Sequence, residues 1–172
     1  AVGADVVSGS RSYLTYDAPF PSLTWADMDG RTAVSTRAAE LAAERGVVVV
    51  VSAGNEGPNP EHNTLGAPAD GVRVLTVGAV DALGLRTSFS SVGPTSDLRI
   101  KPDVAAQGQG VVAASAYGRA TYARVSGTSF SCPLTAGVAA LLLHARPGYT
   151  VDQVLAVLRS TASQAGSPDI LL

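Results

Sequence analysis

A single cysteine, Cys132, stands in the 172-residue sequence, which excludes an internal disulfide and any cysteine-based metal cluster. Charge is scarce too: 15% of residues are charged, the formal net charge is −2, and no basic cluster interrupts the chain. That pattern offers no electrostatic footprint for nucleic acid or for an anionic membrane surface. Long apolar runs are missing. The longest, Val47–Val51 and Val138–Leu143, fall far short of the roughly 20 residues that a spanning helix needs. No signal peptide stands at the start, and the chain opens without Met inside an apolar segment, so it is expected to be a piece of something longer.

What is present is apolar and small. Hydrophobic residues make up 46%, and the length suffices for one domain with a buried core. Val2–Val7 reads as a short strand, followed by a loop from Ser8 to Met28 that holds Tyr13, Tyr16, Phe20 and Trp25. From Thr32, Val34, Ala38, Leu41 and Ala42 recur at helical spacing, and Gly46 stops that helix in a left-handed cap. Val47–Val51 follows as a fully apolar strand, as expected where helices cover both faces of a parallel sheet. Val72–Val80, Thr87–Ser91, Val111–Ser115 and Thr121–Ser126 are further strand candidates. Ser129–Ala145 is expected to be a helix apolar almost all round and therefore interior, with Pro133 tolerated in its first turn. Thr150 and Gln153 make a capping box for a last helix over Val151–Ala162. Alternating strands and helices imply an α/β fold with a largely parallel sheet, in one domain without repeat or linker.

Two segments have chemical potential. Ser129 follows Gly127 and Thr128 at the start of the apolar helix, where unpaired N–H groups and the helix field favour negative charge. A serine attacking a carbonyl there would find donors for the oxyanion. The same residues also suit an ordinary helix cap. Ser52-Ala-Gly-Asn-Glu-Gly57 follows a strand end, the side of a parallel sheet on which ligands bind. Asn55 there has an amide N–H to offer, and equally suits a plain turn.

Taken together, Val51–Gly57 and Ser126–Gly137 (Ser-Gly-Thr-Ser-Phe-Ser-Cys-Pro-Leu-Thr-Ala-Gly) resemble the oxyanion-asparagine and nucleophile-serine motifs of the subtilisin family. Gly66–Ala69, Val74–Asp81, Phe89–Pro94 and Lys101–Val104 are similar to the family's intervening segments, in the same order. The resemblance implies a three-layer subtilisin-like fold with a mostly parallel central sheet. It implies a serine endopeptidase that acts on polypeptides through an acyl-enzyme on Ser129, with Asn55 and the Ser129 N–H stabilising the oxyanion. Ser52, Ala53 and Gly54 with Gly66, Ala67 and Pro68 would line the pocket for the residue before the cut bond. Ser10, Arg11 and Ser12 would pair with extended substrate, and Thr128 joins the substrate-binding set. The family more often has Ser-Leu-Gly where this chain has Ser10-Arg11-Ser12, and a histidine where it has Leu134. A cis bond is expected at Ala67–Pro68.

The resemblance also marks what this sequence lacks. The family's aspartate and histidine motifs, which supply the base and its orienting carboxylate, do not occur here. His62 lies in a polar loop, and His144 closes the apolar helix as a partner for its dipole. Asp29–Gly30 reads as a turn. The amino-terminal third of the catalytic domain is therefore expected to be missing, the fragment alone to be inactive, and apolar surface to be exposed. No cofactor is required; structural calcium is possible, but Asp70, Asp81 and Asp103 have no calcium-loop spacing. Cys132 reads as a small buried hydrophobe. Secretion or a cell-envelope location follows from family habit, as does a monomer when full length. The rival readings are a non-catalytic binding or structural relative and an esterase, whose Gly-x-Ser-x-Gly is absent.

Overall fold

Four strands lie side by side in chain order. The structure, a computed structural model describing residues 3–168, places β1 (Val6–Gly9), β2 (Val48–Ser52), β3 (Val74–Val80) and β4 (Val104–Gln107) in one sheet. Every pairing is parallel, with Val50 between Ser8 and Leu75. Strand residues alternate between faces. Val48, Val50, Leu75 and Val77 meet Cys132, Ala136 and Ala139 of α2 (Thr128–Ala145) and Val151, Val154 and Leu155 of α3 (Val151–Ser160). On the opposite face Val49, Val51 and Val74 meet Ala39 of α1 (Val34–Glu44), together with Met28 and Leu65. This is a three-layer α/β arrangement, as expected, and it explains why β2 is buried throughout and apolar up to Ser52. A separate antiparallel hairpin, β5 (Val111–Ala114) and β6 (Tyr122–Val125), leads into α2.

Several local expectations hold for the expected reasons. Gly46 takes φ +88 directly after α1. The Thr150–Gln153 capping box forms, with bonds of 3.3 and 2.8 Å. Ala67–Pro68 is cis, as are Ala18–Pro19, Gly93–Pro94 and Lys101–Pro102. Asp29 makes its turn by accepting from the Arg31 and Thr32 amides.

Other expectations need correction. The first strand is Val6–Gly9, later in the chain than Val2–Val7, and Val2 lies outside the described residues. Thr87–Ser91 is not a strand; its hydroxyls bond to β3 instead, Ser90 Oγ accepting from Ala79 N and Thr87 Oγ1 donating to Ala79 O. The sheet's fourth strand is Val104–Gln107, too short and Ala-rich to announce itself. In α1 the buried positions are Thr36, Ala39 and Ala43, while Val34 and Leu41 face outward. Thr36 turns inward because its hydroxyl donates to the buried Asp70. Nor is α2 interior all round. Its sheet face is buried, but Leu134, Val138 and Leu141 are exposed on the other side. At 18 residues α2 has the length and apolarity of a membrane-crossing helix, yet it lies across all four strands of the sheet.

Candidate active site

The hairpin delivers Ser129. After β6, Gly127 takes φ +147, a conformation open to glycine, and its N–H donates to Gly108 O at 2.8 Å. Helix α2 begins at the next residue, so Ser129 sits in its first turn, half-buried. The N–H of Ser129 has no carbonyl one turn behind it within the helix, and the helix field there is positive.

Asn55 arrives from β2. The strand ends at Ser52, Gly54 takes φ +119, and the chain turns toward the start of α2. Asn55 Oδ1 accepts from Thr128 N at 2.9 Å and lies 3.0 Å from the Thr128 hydroxyl. That hydroxyl is also 3.1 Å from Gly54 O and 3.3 Å from Gly54 N, so it donates to one oxygen while accepting from the amide. With Oδ1 engaged, Asn55 Nδ2 is the end of the carboxamide left over. Among the described residues neither Nδ2 nor Ser129 Oγ has a hydrogen-bond partner. The arrangement offers an N–H pair and a hydroxyl on one surface, which is the donor set that an oxyanion requires.

Of the remaining predicted residues, Ser10 contacts Ser129 directly. Ser10, just beyond β1, donates through Oγ to Ser129 O at 3.0 Å. Arg11 and Ser12 are exposed, and Tyr13 N donates to Ala67 O at 2.9 Å in an antiparallel bridge. Ser52, Ala53, Gly54, Gly66 and Ala67 are buried, and Pro68 is partly so. Thr128 is fully buried, and its side chain serves as a strut between two loops. Sequence reading missed that strut, along with Ser91, whose Oγ accepts from Glu56 N at 3.1 Å and whose N–H donates to Gly54 O. The paired serines of Phe89–Pro94 are the only signal that pointed there.

Neither histidine approaches Ser129 Oγ through a hydrogen bond. His62 stacks on Trp25, centroids 5.7 Å apart and rings 5° from parallel, with Nδ1 against Asn63 O. His144 lies in the last turn of α2, about 22 Å along the helix from Ser129. Cys132 is buried against Val50 O and Ser8 Oγ, and burial pushes its thiol pKa up. Asp70 is taken by Gly30 N and Thr36 Oγ1, Asp81 by the Leu83 and Leu85 amides, and Asp103 by Lys101 and Arg159. Those three carboxylates do not assemble a calcium site, and no other metal-binding group of side chains exists among the described residues. A cavity of about 760 Å³ opens between β4 and α3 around Lys101, Asp103 and Arg159, and none of the residues gathered at Ser129 lines it.

A sequence model of the subtilase family (Peptidase S8) matches residues 3–171. Subtilisin DY of Bacillus licheniformis is 36% identical over 164 residues, covering 88% of this chain and 57% of that protein. The serine protease AprX of Bacillus subtilis (strain 168) is 36% identical over 143 residues, covering 72% of this chain and 32% of that protein. The crystal structure of a cold adapted subtilisin-like serine proteinase superimposes with a TM-score of 0.64 at 32% identity, covering 78% of this chain and 45% of the other. The chain spans about half the length of the first curated relatives it matches, 57% and 47%. With two strand-end loops converging on a helix-start serine, and with this likeness along nearly its full length, the chain belongs to the subtilase family of serine proteases.

Proposed function

We propose that the protein carrying this chain is a serine endopeptidase and that Ser129 is its nucleophile. Ser129 Oγ attacks the scissile carbonyl, its proton passes to a histidine base, and the amine leaves with that proton. Water then hydrolyses the acyl ester and frees Ser129. The developing oxyanion is held by Asn55 Nδ2 and the Ser129 N–H. The observation that supports this reading is the Thr128 N–H held by Asn55 Oδ1 at 2.9 Å, which ties the carboxamide to the residue before Ser129 and leaves Nδ2 as its free donor.

The base has no occupant among the described residues, since His62 is engaged elsewhere and His144 is remote. We therefore propose that the 172 residues alone are inactive and that the aspartate and histidine come from chain outside this segment. We propose further that the enzyme needs no cofactor, acts on polypeptides as a monomer, and works outside the cell or in its envelope.

The test expresses the native coding sequence, including everything upstream of Ala1, and assays peptide hydrolysis beside a Ser129→Ala variant and the isolated 172 residues. Hydrolysis by the native product alone, abolished by Ser129→Ala, is the expected result. A folded native product whose hydrolysis is absent, or survives Ser129→Ala, overturns the reading.

A further inference from the structure

The cavity beside β4 lies at an open edge of the sheet. β4 pairs with β3 on one side and, among the described residues, with no strand on the other. That edge presents backbone N–H and C=O groups without strand partners. The cavity follows it: Val72 and Ile100 line one end, near the start of the strands, and Val80 and Gly84 line the other. β3 alone spans about 20 Å between those ends. Ala156 of α3 and Ala162 stand in the facing wall. A volume of about 760 Å³ over that length has room for an extended chain of several residues.

The groove is largely apolar, with charge at one end. Val72 and Ile100 are 52% and 46% exposed, which leaves two large apolar side chains against water. Three basic residues line it, Arg99, Lys101 and Arg159, against one acidic residue, Asp103. Arg99 is matched by Asp97 at 2.9 Å. Lys101 and Arg159 therefore share the single carboxylate of Asp103, at 2.6 Å each, and one positive charge is left over. Arg159 gives Nε and Nη2 to Asp103, and its Nη1 has no hydrogen-bond partner among the described residues. Burial lowers the Lys101 pKa, and the charges of Arg159 and Arg99 push the same way against the pull of Asp103. The cluster is short of negative charge. Because Asp103 immediately precedes β4, the spare charge sits where that strand starts.

We propose that this groove takes the carboxyl-terminal end of an extended, apolar peptide, which joins β4 as an antiparallel strand and sets its terminal carboxylate on Arg159. The position of the charge dictates the direction, since a chain that ends at the start of β4 runs against it. Parallel sheets commonly accept one antiparallel edge strand. Strand addition supplies main-chain hydrogen bonds while alternate side chains fill the apolar wall. The terminal carboxylate supplies the missing negative charge on the open edge of a guanidinium. The site includes neither Ser129 nor Asn55, and it stands whether or not Ser129 is a nucleophile.

The test uses the product of the native coding sequence carrying Ser129→Ala, so that bound peptide is not cut, and reads the fluorescence anisotropy of fluorescein-Gly-Ser-Val-Thr-Val-Ala-Val. The free acid should bind about tenfold more tightly than its carboxamide, and Arg159→Gln should remove that difference. Arg159 also holds Asp103, so a second variant leaves the ion pair intact. Ala156→Phe, at an exposed position of α3 in the groove wall, should weaken both peptides at least about tenfold. Methylating every second peptide nitrogen should abolish binding in the register that faces β4. Equal affinity of acid and carboxamide, unchanged binding to Ala156→Phe, or full binding in both methylated registers overturns the proposal. So does no binding at all, the result expected if another part of the same protein fills the groove. Displacement of the acid by decanoate at matching affinity also overturns it, because that ligand needs no strand edge.

Discussion

Lys101 Nζ lies 2.6 Å from Asp103 Oδ2, with the two side chains 2% and 3% exposed, so an ion pair is sealed inside the fold. Lys101 also donates to Val74 O, and Asp103 accepts from Thr76 N and from Nε and Nη2 of Arg159. One carboxylate thus holds β3, the approach to β4, and the end of α3. Burial depresses the Lys101 pKa, and the nearby Asp103 charge partly offsets that.

Asp103→Ala should therefore cost about 3–5 kcal/mol, because it leaves a buried ammonium unpaired. Replacing both partners, Lys101→Met with Asp103→Leu, should recover most of that loss. Urea unfolding followed by circular dichroism checks both; a single variant that loses under about 1 kcal/mol removes the pair from the list of structural supports.

At the active site, Asn55→Leu should lower kcat of the native product by about 100- to 1000-fold with little change in KM, a magnitude measured on a subtilisin and carried over. Thr128→Val keeps the Asn55 carboxamide but removes the hydroxyl bridging Gly54 and Asn55. It should lower stability by about 1–3 kcal/mol and reduce kcat less than Asn55→Leu does. Steady-state kinetics on one peptide substrate ranks the two.

Cys132, three residues from Ser129, should resist alkylation in the folded protein. Its thiol is fully buried, and burial raises its pKa, so the reactive thiolate is scarce and shielded. Iodoacetamide at pH 8 should label it at least about 100-fold faster in 6 M guanidinium than in buffer. Equal rates would show that the thiol is open.

Asp97 gives a pH dependence. The Arg99 hydrogen bond, opposed by partial burial and aided by Thr95, holds its pKa below the ordinary 3.8. A carboxylate with a depressed folded pKa stabilises above its unfolded value and ceases to do so as pH falls through the folded one. Asp97→Asn should therefore cost about 0.2–1 kcal/mol at pH 6 and nothing once the pH is well below 3.8. Denaturation midpoints at the two pH values give the comparison.

Much of the layout was legible in sequence because period and turn chemistry agreed. The valines of β2 could only be a covered strand, Gly46 could end α1, and Thr150 with Gln153 could open α3. Asn55 and Ser129 were legible through their flanking motifs, which fix loop conformation as well as chemistry. The failures share a cause, namely tertiary partners that a linear pattern does not contain. Thr36 outranks Val34 for burial only because Asp70 waits beneath it. Thr87 and Ser90 look like strand residues until Ala79 takes their hydroxyls. Thr128 enters the sequence reading only as a substrate-binding residue implied by the resemblance, and its bracing of two loops appears only when Gly54 and Asn55 arrive from 74 and 73 residues away.

Two backbone links carry a mechanical consequence. Val80 O, the last carbonyl of β3, accepts from Gly108 N, and Gly108 O accepts from Gly127 N. The position of Ser129 is thereby inherited from β3 through two peptide groups, bypassing the exposed tip of the β5–β6 hairpin. Tyr117 in that tip is 95% exposed and takes no part in those two links.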